Sequence, residues 1–206
     1  AFAVASGRNF NLVKEVIDEY GLDVDITVSS VGTQIFYGGK EESFDQDWAD
    51  YLNFKWDREK IVKTLKHLKF LNPQEDFAQN PWKISYYYDE ENYDEEEIKN
   101  LLKNDWYHVN VVTSHRKYVD ILPKRASKGN AILYLCHKWG IQLTKVYACG
   151  DSGNDTDMFR DPINGIIVGN MSSELCHLKP RKKLYLADGN AAEGIIEGLK
   201  HYKFKM

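Results

Sequence analysis

The sequence predicts an α/β fold: a core with a parallel sheet and helices on both faces, interrupted by an inserted α+β domain. Three observations carry this reading. The hydrophobic period alternates between strand-like runs and helical stripes at both ends of the chain. The middle of the chain is aromatic and charged, with strands in succession. Glycine and small polar residues gather where a strand run gives way to a helical one.

Taken in order, Phe2 to Val4 read as the end of a strand, followed by Ser6-Gly7-Arg8. Leu12, Val13, Val16, Ile17 and Tyr20 fall at helical spacing, and Gly21 suits the residue just past that helix. Asp25 to Ser29 and Gln34 to Tyr37 are β-rich runs separated by a Ser-Val-Gly-Thr turn. The inserted domain spans 51–124, between core segments 1–50 and 125–206. It holds a helix carrying Ile61, Leu65 and Leu68, a strand from Lys83 to Tyr88, and an acidic helix start at Asp94 to Glu97. Two further strands lie around Val109 to Val112 and Val119 to Leu122. The alternation then resumes with a helix from Ser127 to Trp139, its stripe made by Ala131, Leu135 and Trp139. Strands Val146 to Cys149 and Gly165 to Val168 follow, and a helix from Ala191 to Tyr202 closes the chain.

Composition removes several classes of function. With 43% hydrophobic and 28% charged residues, the 206-residue chain has the balance of a soluble globular protein. No apolar run reaches the roughly 18 residues of a membrane span. The net charge of −4 supplies no basic field for nucleic acid. Cys136, Cys149 and Cys176 are an odd number without metal-site spacing. They read as buried thiols of a reducing, cytoplasmic compartment.

The strongest chemical signal is Cys149-Gly150-Asp151-Ser152-Gly153-Asn154-Asp155. A short apolar strand ends in a glycine turn, with two carboxylates four residues apart. In open α/β sheets ligands bind beyond the carboxyl ends of strands, where this loop lies. Asp151 and Asp155 suit a hard cation such as Mg²⁺, which takes oxygen ligands and keeps several waters. Ser152 and Asn154 can serve phosphate oxygens. A plain turn would also be rich in Gly, Asn and Asp, but the strand in front and the second carboxylate favour the metal. Lys128 opens a helix, where backbone amides and an ammonium make an anion site. Ser6-Gly7-Arg8 is a second such cradle. Two anion sites and a metal site at strand-to-helix junctions form the set that phosphoryl chemistry needs.

These residues resemble the haloacid dehalogenase superfamily of phosphohydrolases, in which Ser6, Lys128 and Gly150 to Asp155 match the second, third and fourth motifs in order. The inserted domain is similar to the cap of its sugar-phosphatase branch. Ser30-Val-Gly-Thr33, Asp47-Trp48-Ala-Asp-Tyr-Leu52, Lys55-Trp56-Asp-Arg58, Asn80-Pro-Trp-Lys-Ile-Ser-Tyr86, Asp120-Ile-Leu-Pro123 and Lys128-Gly-Asn-Ala131 resemble the sucrose-6-phosphate phosphatase family. The resemblance implies that Asp151 binds Mg²⁺ directly, and that Asp155 acts either through water or from behind the direct ligands. Ser6, Gly7, Lys128 and Asn154 would hold the transferred phosphoryl group, and Lys128, Asp151 and Asp155 would be catalytic. Lys83, Gln34, Gln46 and Trp48 would read the sugar. Gln34 stands where that family more usually has Glu, which leaves neighbours such as mannosylfructose phosphate open as substrates.

The family's reaction begins with an aspartate of an Asp-x-Asp-x-Thr motif on the first core strand, ahead of the Ser6 motif. Asp23-Val-Asp25-Ile-Thr27 spells it formally but lies after Ser6, as the lead into the next strand. The resemblance therefore makes Ala1 an internal residue, with the first core strand outside the 206 residues and the chain inactive by itself. Two function classes follow. One is hydrolysis of sucrose 6-phosphate through an aspartyl-phosphate. The other is a nucleophile-less module that binds sugar phosphate or associates with sucrose-phosphate synthase.

Overall fold

The structure, a computed structural model, describes residues 1–89, 91–92, 94–104 and 108–205. The chain forms two compact units, Ala1–Ala131 and Ile132–Met206.

In the first unit, β1 (Ala3–Ala5) and β2 (Ile26–Ser29) pair in parallel, connected by helix α1 (Phe10–Glu19). Asn9 caps α1, its side-chain oxygen accepting from the Leu12 N–H at 2.9 Å. Val13 and Ile17 on the buried stripe pack with Val4 and Val24. As the sequence indicates, Gly21 closes the helix at φ +58°, and the Leu22 N–H returns to the Ile17 carbonyl at 2.9 Å. Strand β3 (Gln34–Tyr37) departs from an all-parallel sheet by pairing antiparallel to β2. The physical reason is the length of the connection: four residues, Ser30 to Thr33, can reverse a chain but cannot make a parallel crossover. Helix α2 (Gln46–Leu52) follows, capped by Asp45, whose carboxylate accepts from the Trp48 N–H at 3.0 Å.

The same unit contains a four-stranded antiparallel sheet, ordered β4-β5-β7-β6, made of Leu71–Pro73, Ile84–Tyr88, Tyr118–Pro123 and Val109–Ser114. One face is apolar. Ile84, Tyr86, Val119 and Ile121 pack there against Ile61 and Leu65 of α3 (Arg58–Leu65) and Ile98 and Leu102 of α4 (Glu95–Asn104). Leu68 joins this core from just beyond the helix the sequence assigned it to. Strand alternation puts Lys83, Ser85 and Asp120 on the opposite face, since Ser85 and Asp120 are cross-strand partners.

Helix α5 (Lys128–Trp139) leads into the second unit. Ala131 and Leu135 of its stripe are buried, but Trp139, the last residue of the helix, is 42% exposed, so the stripe stops one turn early. The second unit holds three parallel strands ordered β10-β9-β8, built from Leu184–Leu186, Asn164–Ile167 and Tyr147–Gly150. Helix α6 (Ala191–His201) sits on β9. Of the cysteines, Cys136 is buried, Cys149 is half-buried and Cys176 is exposed, which corrects the expectation of three buried thiols. Among the described residues no helix is long and apolar enough to cross a membrane.

Candidate active site

The loop after β1 and the turn between β2 and β3 are built as one object. The Ser6 carbonyl accepts from the Val31 N–H at 3.0 Å, and the Arg8 carbonyl accepts from the Ser30 N–H at 2.7 Å. The Ser6 hydroxyl accepts from the Arg8 N–H at 3.1 Å, which folds Gly7 into the bend between them. These bonds hold an unusual backbone: Ser30, Val31 and Gly32 have φ of 52°, 59° and 88° in succession. Val31 is β-branched, so its left-handed conformation is held by its surroundings and not by preference.

Lys128 reaches the same place. A Cβ on Gly32 would lie 2.3 Å from the Ser127 carbonyl and 2.6 Å from the Lys128 nitrogen, so only glycine lets the turn approach the start of α5 this closely. Ser127 caps that helix, its hydroxyl accepting from the Asn130 N–H at 3.0 Å. Lys128 itself is 4% exposed at the helix N-terminus, the end where the macrodipole favours an anion. Ser6, Gly7 and Lys128 are therefore brought together around the Ser30–Thr33 turn.

Of the sugar candidates, Gln34 belongs to that turn, its side-chain oxygen accepting from the Ser30 hydroxyl at 3.1 Å. Lys83 is 5% exposed, and its ammonium lies 3.5 Å from Asp120 Oδ1. The Ser85 hydroxyl donates to the same oxygen at 2.5 Å. Asn80, on the same segment as Lys83, donates from Nδ2 to the Thr33 hydroxyl at 3.0 Å. The other two candidates stand differently. Gln46 is exposed and donates to Asp50 one helical turn on, at 2.9 Å. Trp48 is 1% exposed, and its indole N–H props the turn by donating to the Gly32 carbonyl at 3.1 Å. A ring so enclosed offers no face to a sugar, which corrects its place in the sugar set.

The acidic loop sits in the second unit, at the carboxyl end of β8. Asp155 is 4% exposed, and its Oδ2 accepts from the N–H groups of Asp151 at 3.0 Å and Ser152 at 3.1 Å. A Cβ on Gly150 would lie 2.6 Å from that carboxylate, so the strand must end in glycine. Asn154 Oδ1 accepts from the Ser152 hydroxyl at 3.1 Å. Asp151 is exposed at the mouth of the loop. One carboxylate of the pair is thus exposed and the other is bound into its own loop. Among the described residues no group of three or more His, Cys, Asp or Glu side chains could hold a metal. Burial pushes the Cys149 thiol just ahead of the loop up to about 11, so it is an inert neighbour.

Sequence reasoning missed Glu174, whose Oε2 accepts from the Gly153 N–H at 2.9 Å and the Ser172 hydroxyl at 3.1 Å. It also missed the joining role of Thr33 and Asn80. No local spacing announces either set, because the partners are far apart in the chain. Asp25, the formal match to a nucleophile motif, accepts from the Phe2 N–H at 2.7 Å, as a residue leading into a strand does.

Residues 1–203 match the family model of sucrose-6F-phosphate phosphohydrolase. The chain belongs to that family. Sucrose-phosphatase 1 of Nicotiana tabacum is 34% identical over 96% of this chain and 49% of its own length. The chain thus spans about half the length of the plant relatives it matches. A mannosylfructose-phosphate phosphatase of Agrobacterium fabrum is 30% identical over 96% of this chain and 81% of its own length. Among solved structures, the sucrose-phosphatase of Synechocystis in complex with sucrose and phosphate superposes with a TM-score of 0.91 at 34% identity. It covers 99% of this chain and 85% of the other. The α/β fold is that of the haloacid dehalogenase superfamily.

Proposed function

We propose that the protein is a Mg²⁺-dependent phosphohydrolase of sugar phosphates, converting sucrose 6-phosphate and water to sucrose and phosphate. The observation that carries this is the cradle around the Ser30–Thr33 turn. There a serine loop and a buried lysine at a helix N-terminus are locked together and bonded to the segment that carries Lys83. In this reading 1–50 and 125–206 form the catalytic core and 51–124 the cap. Ser6, Gly7, Lys128 and Asn154 hold the phosphoryl group, whose charge they offset as its bond to the sugar breaks. Asp151, with Asp155 behind it, would hold Mg²⁺, which supplies charge neutralisation at phosphorus. Lys83 and Gln34 bind sugar hydroxyls. No residue of 1–206 is assigned as the attacking carboxylate. A cytoplasmic setting and an association with sucrose-phosphate synthase belong to the same proposal.

The test is phosphate release by the full-length protein from sucrose 6-phosphate, mannosylfructose phosphate and simple hexose phosphates, with and without a chelator. The expected outcome is turnover of sucrose 6-phosphate that the chelator abolishes, and its loss in Asp151→Ala with an unchanged circular dichroism spectrum. Binding of the sugar phosphate without turnover would instead favour the nucleophile-less module. Neither binding nor turnover would overturn both readings.

A further inference from the structure

The sequence from Phe77 to Asn80 contributes no side chain to the candidate phosphate or sugar contacts, yet it touches both regions. Toward the cradle, the Phe77 carbonyl accepts from Asn9 Nδ2 at 2.7 Å, and Asn9 is the residue that caps α1 directly after the Ser6 loop. Asn80 Nδ2 donates to the Thr33 hydroxyl at 3.0 Å, and that hydroxyl in turn donates to the Ser30 carbonyl at 2.9 Å. Toward the sheet face, the Gln79 side chain brackets Ser85, accepting from its N–H at 2.9 Å and donating to its carbonyl at 2.8 Å. The Ala78 carbonyl lies 3.1 Å from the Ser85 hydroxyl, which also reaches Asp120, the carboxylate beside Lys83. Asn80 and Lys83 are further joined by a pair of backbone hydrogen bonds, both 3.2 Å.

A short segment is thus fastened at each end. One end is a backbone turn with three successive left-handed residues, whose conformation is held only by what it is bonded to. The other end is a buried ammonium–carboxylate pair. The contacts form one chain, from the Lys83–Asp120 pair through Ser85 and Ala78 to Asn80, and from Asn80 through Thr33 to the turn that packs on Ser6 and the start of α5. Ordering that has already been supplied by one ligand need not be supplied by the next, which is positive coupling between two sites.

We propose that Phe77–Asn80 is a strap that makes sugar binding and phosphate binding cooperative, with Thr33 and Asn80 as its positioning residues. The inference rests on the assignment of the sugar to the Lys83 face and of phosphate to the Ser6–Lys128 cradle. Thr33 and Asn80 touch neither ligand; they act through the turn. The coupling is reciprocal, so phosphate raises the affinity for sugar by the same factor as sugar raises that for phosphate.

Calorimetry on the full-length protein tests this with two probes, sucrose and inorganic phosphate, each titrated alone and then with the other saturating. In the wild type each probe is expected to tighten the other by about fivefold or more. Thr33→Val also removes a bond inside the turn, so each probe alone is expected to weaken somewhat, but by clearly less than the pair, while the coupling falls toward unity. Thr33→Ser, which keeps the hydroxyl, restores it. Asn80→Asp is the second variant. It retains the oxygen that accepts from the Trp82 N–H at 2.7 Å but lacks the donor to Thr33, and it gives the same loss of coupling if Thr33→Val is poorly folded. Both probes binding without coupling in the wild type would overturn the strap and leave the proposed function standing. So would coupling that survives in both variants, or variants that weaken each probe alone as much as the pair. Failure of either probe to bind the wild type would overturn the site assignment itself.

Discussion

Two loops that follow a strand and enter a helical turn are stabilised in opposite ways. The Ser6–Arg8 loop depends on backbone groups of Ser30 and Val31, which lie two elements further along the chain. The Gly150–Asp155 loop closes on itself, with one carboxylate collecting the N–H groups of residues three and four positions earlier. The first is a long-range construction with strained backbone at its centre, and the second is a local one. A long-range loop is sensitive to anything that moves its distant supports. The acidic loop also has distant supports, in the Glu174 carboxylate on the Gly153 N–H and the Ser172 N–H on the Asp151 carbonyl. Its centre, however, is held by its own residues.

The largest test of this contrast is Gly32→Ala. Its Cβ would meet backbone atoms of Ser127 and Lys128 at 2.3 to 2.6 Å, and backbone cannot swing aside. A loss of about 3 kcal/mol or more in unfolding free energy is expected from denaturant titration. Gly38→Ala is the control. Its φ is +58° but nothing lies within 4 Å, so only the left-handed backbone penalty of about 1 kcal/mol applies. Equal losses at the two positions would remove the case for a long-range cradle.

Asp155→Ala comes next. It leaves the Asp151 and Ser152 N–H groups without their acceptor, at a cost of roughly 2–3 kcal/mol. Asp155→Asn keeps an oxygen there and should cost about half as much. If the two variants are equally stable, the loop does not depend on its carboxylate. Ser127→Ala removes the cap of α5, a locally made part of the cradle. The change in unfolding free energy should be about 1 kcal/mol, well below that of Gly32→Ala.

The smallest effect concerns the thiols. With its pKa raised to about 11 by burial, Cys149 holds little thiolate at pH 8 and should label slowly in the folded protein. Its labelling should quicken as the pH rises toward that value, whereas exposed Cys176 labels first. Mass spectrometry after timed alkylation separates the two, and labelling of Cys149 as fast as Cys176 at pH 8 would show the loop to be open.

The same distinction explains what the sequence made legible. Helix α5 and strands β8 and β9 could be read because period, cap and closing glycine all act within a few residues. So could the Asp151–Asp155 loop, because the bonds of its Asp155 carboxylate are local, although its support by Glu174 could not. Strands β4 and β10 were not foreseen. Each is three residues at the edge of a sheet, one including Pro73, with a pattern too short to show a period. Helix α2 was missed although Asp45 caps it, because its aromatic and acidic residues mask a buried stripe of Trp48, Ala49 and Leu52. Trp48 entered the sugar set through the family resemblance alone, and its burial in the core is not written in its residue type. The partnership of Thr33 with Asn80 has no signature in spacing, since it exists only once a strand and a loop 47 positions apart are folded together.

The two faces of the β4-β5-β7-β6 sheet have separate duties, and this bears on how such a protein diversifies. The apolar face with α3 and α4 carries the packing, so substitutions there are limited by volume. Lys83, Ser85 and Asp120 on the other face alternate in sequence with residues of that core. On the proposed function, substrate preference and foldability are interleaved along one stretch of chain. Because Lys83, Ser85 and Asp120 are buried and bonded to one another, a change of ligand there asks for a concerted change of all three.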